Sequence, residues 1–172
     1  MSVLASGIVA LFLAHLFAVL FGAGSITFAE WQYFRAIRDG HIDEGERAHL
    51  STLFFSLRFA LVMVVLVDIA LGIALYIAAS PVVLALTSMY WFEMLIVLVL
   101  IITSWLRFHG RIPFWAGSSI AFVGWWYLVG MDIGFVPIEG FTSALLGFII
   151  SIFILAGLFG YVRFLVRTSV QD

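Results

Sequence analysis

Five apolar stretches, each about long enough to cross a bilayer, leave this chain few ways to fold. They cover residues 3–26, 53–79, 82–106, 113–132 and 141–162. A hydrocarbon core of about 30 Å needs about 20 apolar residues per helix, so each stretch reads as a transmembrane helix. Composition agrees, with 65% hydrophobic and 10% charged residues and a mean hydropathy of +1.21. A soluble domain carries roughly 45–50% and about 25%. The expected fold class is an all-α integral membrane protein, one domain over residues 1–172, built as a bundle of about five transmembrane helices. No basic residue precedes Val3–Leu20, so the first stretch reads as a retained helix and not as a cleaved signal.

The arginines set an expected orientation. Lysine is absent, and all 8 basic residues are arginines. Arg35, Arg38, Arg47 and Arg58 lie in or beside the first connection, Arg107 and Arg111 in the third, and Arg163 and Arg167 after the fifth helix. Basic residues in short loops mark the cytoplasmic side. The N-terminus is therefore expected outside and the C-terminus in the cytoplasm, in a bacterial inner membrane. Around a turn at Asp39-Gly40 the flanking residues keep helical character, which predicts a helical cytoplasmic hairpin between helices 1 and 2. Asp43 with Glu46 three residues on fits a helix N-cap. A tight turn is expected at Ser80-Pro81.

Small residues let helices approach in lipid. Ala14, Ala18 and Gly22 form one such stripe, Gly117, Ala121 and Gly124 a second, and Ser143, Gly147 and Ser151 a third. Gly72, one turn beyond Asp68, points to another close interface. Trp91, Trp105, Trp115, Trp125 and Tyr127 fall towards span ends, where aromatic belts form.

Ionisable residues inside a span are costly, at least about 2.5–3.5 kcal/mol at the bilayer centre, and mark function. His15, Asp68 and Glu93 stand near the middle of the first three spans and are expected to converge. Together they suit a proton path, a zinc or iron site, haem or quinone binding at His15, or an inert polar cluster that fixes helix register. Glu30 and Arg58 are expected to pair near the cytoplasmic boundary, and Asp132 and Glu139 to be solvated outside. The absence of cysteine removes disulfide, thiolate and c-type haem chemistry. Nucleotide-binding and hydrolase motifs are missing, and sparse charge argues against nucleic acid.

The run from His15 through Gly22, Gly24 and Thr27, followed by Phe34, Asp39-Gly40, Ile42 and Glu46, is similar to a group of small bacterial multi-pass membrane proteins. More distantly it resembles the copper-resistance D-like proteins and the multi-pass protoporphyrinogen oxidases. The similarity covers roughly the first 75 residues. It implies a helical membrane protein with His15 as axial ligand to a b-type haem iron. This chain departs from the pattern in having no second histidine at matching depth, so the other ligand would have to be a shifted His109, or Met63, Met89 or Met94. The leading expectation is a small redox-associated protein binding haem b or quinone at His15, with Asp68 and Glu93 handling protons. Beside it stand a proton or ion translocator using the same residues and a non-catalytic accessory subunit. Expected partners are the lipid bilayer, a homo-oligomer or larger membrane complex, and a cytoplasmic protein at Glu30–His49.

Overall fold

In the computed structural model, residues 3–36, 43–78, 87–136 and 140–168 are described. They form five helices: α1 (Val3–Ala36), α2 (Glu44–Ile77), α3 (Ser88–Phe108), α4 (Phe114–Asp132) and α5 (Phe141–Thr168). Among the described residues there is no strand. By length and composition α1, α2, α3 and α5 are each able to cross a membrane. This is a multi-pass helical membrane protein.

The fourth expected span differs from the others. At 19 residues α4 is the shortest of the five described helices, and it carries Gly117, Ser118, Ser119, Gly124 and Gly130. The same residues let it pack from several sides. It touches α1, α3 and α5, and ten of its residues are buried. The core around it is led by Val19, Ile26, Val64, Phe92, Ile96 and Leu128.

Local chemistry fixes the helix ends. Asp43 caps α2 in a reciprocal box: the Glu46 N–H donates to Asp43 Oδ1 at 2.7 Å, and the Asp43 N–H donates to Glu46 Oε2 at 3.2 Å. Thr87 Oγ1 accepts from the Tyr90 N–H at 3.2 Å, so α3 starts at Ser88, later than the expected residue 82. Helices α3 and α4 both end on a left-handed glycine, Gly110 (φ 65°) and Gly134 (φ 71°). In each case the next N–H reaches back five residues, Arg111 to Leu106 O at 2.8 Å and Phe135 to Gly130 O at 2.8 Å, which satisfies carbonyls left open by the helix end. The turns expected at Asp39-Gly40 and Ser80-Pro81 lie outside the described residues.

The glycine stripes resolve into specific contacts. A side chain at Gly22 would overlap the Trp125 ring, and one at Gly124 would come within 2.8 Å of Leu100 Cδ2. Gly72, by contrast, has nothing within 4 Å of the place a side chain would take and marks no close interface. Trp125 is only 2% exposed, so it is a core residue and no part of a belt. Gly22→Leu should therefore force an overpacked α1–α4 contact costing about 1–3 kcal/mol, seen as a lower unfolding temperature in detergent. Gly24→Leu, with nothing within 4 Å, should leave that temperature nearly unchanged.

Candidate functional site

Four helices bring ionisable groups to one point. His15 from α1 is 4% exposed. Its Nδ1 lies 2.7 Å from Asp68 Oδ1 of α2. Its Nε2 lies 3.3 Å from Glu93 Oε1 of α3 and 3.3 Å from Asp132 Oδ2 of α4. His15, Asp68 and Glu93 thus meet as the spacing along the helices leads one to expect.

Asp132 does not follow expectation. It is not solvated at the outer surface but closes the cluster, with a side chain 9% exposed. The reason is topological. Successive antiparallel helices return the last turn of α4 to the level of the first turns of α3, five residues before Glu93. For the same reason the cluster sits nearer this end of the bundle than the mid-depth expected from the three spans alone. Glu139 lies outside the described residues.

Three carboxyl groups surround one imidazole, so acids outnumber the base in this pocket. Buried charge is costly unless it is paired and hydrogen-bonded. Here the pairing is incomplete: His15 Nδ1, Asp68 Oδ2 and Asp132 Oδ2 are buried without a directed hydrogen bond among the described residues. The approach of Nδ1 to Asp68 is close, yet not along an N–H···O line. One nitrogen of His15 and one oxygen each of Glu93 and Asp132 lie within 4.8 Å of one another. The donor atoms of three helices converge on one small volume.

A second polar group lies about 22 Å further along α1, 15 residues on at about 1.5 Å each. Glu30 does not pair with Arg58 there. Its Oε2 faces Arg163 Nη2 of α5 at 3.5 Å, and the Ser118 hydroxyl donates to its Oε1. The Arg163 guanidinium also lies over the rings of Tyr33, Phe34, Phe114 and Phe159 at 5.2–5.8 Å. Arg58 instead lies over Phe108, 4.9 Å from its centroid. Sequence reasoning overlooked Arg163 because it follows the last apolar stretch, where an arginine usually meets water.

Compared with known protein families, characterised proteins and solved structures, the chain matches none of them. The resemblance of its first 75 residues to haem-associated families therefore rests on the quoted residues alone. The geometry fits a haem poorly. Both ring nitrogens of His15 face carboxyl groups. His109 is exposed at the far end of α3, with Nδ1 2.8 Å from Trp105 O.

Proposed function

We propose that this is a membrane metalloprotein whose centre binds one divalent transition-metal ion of the zinc or iron class. His15 Nε2, Glu93 and Asp132 would be its ligands, with Asp68 behind the imidazole. The single observation that carries this reading is the pair of 3.3 Å separations from Nε2 to the two carboxylate oxygens. Ligands bound tetrahedrally at about 2.0–2.2 Å lie about 3.3–3.6 Å apart. Two of the three ligand edges already stand at that length and the third is within 4.8 Å, and a dication would balance the carboxylates that bind it.

Asp68 has the place that an outer carboxylate takes in metal sites. It lies 2.7 Å from the ring nitrogen that does not face the ion, and a turn of the ring that brought that N–H into line would let the carboxylate orient the imidazole and raise its basicity. Three protein ligands leave a fourth position open, as in catalytic and not structural centres. An iron-class ion would keep the redox role expected from the sequence, with Asp68 and Glu93 as its proton-handling neighbours. Quinone binding and haem have no comparable support.

In this reading all five helices cross a bacterial inner membrane, N-terminus outside and C-terminus in the cytoplasm. The arginine-bearing ends of α1, α3 and α5 then share the cytoplasmic side, and the metal centre sits towards the outer one. Helices α1 and α2, at 34 residues each or about 51 Å, outrun a hydrocarbon core of about 30 Å and project into the cytoplasm as the hairpin.

Metal analysis and titration of detergent-purified protein test the proposal. About one zinc, iron or cobalt ion per chain is expected. Asp68→Asn should keep that stoichiometry while weakening affinity about 10–100-fold. Wild-type protein that takes up no divalent metal would sink the reading.

The rival reading, proton translocation, is favoured by the partial exposure of Asp68 and Glu93, whose side chains are 13% and 18% accessible. Against it, Val19, Ile26, Leu128 and Trp125 fill the interior between this centre and Glu30 with apolar atoms. PH-gradient dissipation in proteoliposomes, lost in Glu93→Gln and indifferent to metal, would favour the rival.

A further inference from the structure

Helix α2 packs closely on α1 but touches α3 only sparsely, and the two diverge. A cavity of about 190 Å³ opens between them, reaching inward to Leu100 and Trp125. It shares Arg58, Leu61, Ser104 and Phe108 with an apolar groove of about 530 Å³ that runs along Val62, Val65 and Leu66 on the outside of the bundle. Ligand sites of small molecules occupy about 300–1,000 Å³, so the groove is large enough for one.

Two guanidinium groups stand at one end of this space. Arg58 lies over Phe108 at 4.9 Å, while Arg107 lies over Phe54 at 4.3 Å and Phe114 at 4.5 Å. Neither forms a hydrogen bond or ion pair among the described residues, and the nearby acid, Glu30, is already taken by Arg163 and Ser118. Aromatic faces hold the two cations in position, and although Glu30 lies within electrostatic reach of Arg107, no directed ion pair among the described residues occupies either guanidinium. Arg107 is the last residue but one of α3, which puts the pair at the level where a spanning helix leaves the hydrocarbon. From Arg58 to Leu66 the groove wall then runs about 12 Å into the apolar zone, at about 1.5 Å per residue.

A ligand matching this shape has an anionic head and an apolar tail, and it enters sideways from the membrane. We infer that the α2–α3 groove binds an anionic phospholipid, its phosphate between Arg58 and Arg107 and one acyl chain along Leu61, Val65 and Leu66. Guanidinium forks suit phosphate oxygens, and basic pockets between spanning helices on the cytoplasmic side recognise anionic headgroups.

Delipidated protein in mild detergent would be titrated with phosphatidylglycerol or phosphatidylcholine, and bound lipid counted by native mass spectrometry. One phosphatidylglycerol per chain should bind at least tenfold more tightly than phosphatidylcholine. Arg58→Gln with Arg107→Gln should erase that preference. Ser104→Phe fills the groove while leaving both arginines, and it should lower lipid occupancy. Far-ultraviolet circular dichroism identifies which variants are folded, and only those are counted. Equal binding of the two lipids, or an unchanged preference in the folded arginine variant, would overturn the inference. So would inorganic phosphate competing as well as the lipid does, because that would make this a simple anion site.

Discussion

His15→Ala will strip the protein of its metal, from about one ion per chain to a trace. Asp68 only supports the imidazole, so its loss is limited to the 10–100-fold range of outer-shell partners. His15 supplies the one nitrogen donor, and its removal leaves Glu93 and Asp132 as carboxylates with a third, Asp68, in the same pocket. The fall in affinity should therefore exceed that of Asp68→Asn. A second readout follows from linkage. An ion that binds only the folded chain stabilises it by about 2.7 kcal/mol at a hundredfold excess over Kd. Wild-type protein should unfold at a higher temperature when zinc is added, and His15→Ala should not respond. His109→Ala, at an exposed site, should behave as wild type in both measurements. Metal retained at full stoichiometry in His15→Ala would place the ion elsewhere and refute the assigned ligands.

Much of this centre was legible because helical membrane proteins carry few charges. Each one inside a span needs a reason to be there, and that alone singled out His15, Asp68 and Glu93. Asp132 escaped notice for a physical reason too. A carboxylate at a helix end looks solvated until the neighbouring helices are known to run past it, as α1 and α2 do here. Arg163 was hidden in the same way by its place after an apolar stretch. The five apolar stretches located the helices, but their ends came from capping at Thr87, Gly110 and Gly134, which hydropathy does not register. Trp125 shows the limit of composition rules. Near a span end a tryptophan reads as a belt residue, yet Gly22 leaves a gap that only a large flat ring on α4 fills.

The same neighbouring of distant charges makes Glu30 the position whose loss should cost most in stability. Glu30→Gln keeps the size of the side chain and its hydrogen bond from Ser118, so it isolates the charge. What remains is Arg163, side chain 12% exposed, with its Nε buried and unpartnered. Arg107 lies within electrostatic reach of both groups. Removing one partner of a buried pair leaves an uncompensated charge, at about 3–5 kcal/mol. The four aromatic rings around the guanidinium attract it by about 0.5–2 kcal/mol per favourable contact, which softens the loss without cancelling it. Arg163→Met should be milder, because Arg107 stays within reach of the Glu30 carboxylate. The double variant Glu30→Gln with Arg163→Met should recover much of the stability lost in Glu30→Gln, since the Arg163 charge is then no longer buried without its partner. Thermal unfolding in detergent, read as a double-mutant cycle, decides between this and a weak boundary pair. If Glu30→Gln unfolds at the wild-type temperature, the pair is effectively solvated, and α1, α4 and α5 are held together without it.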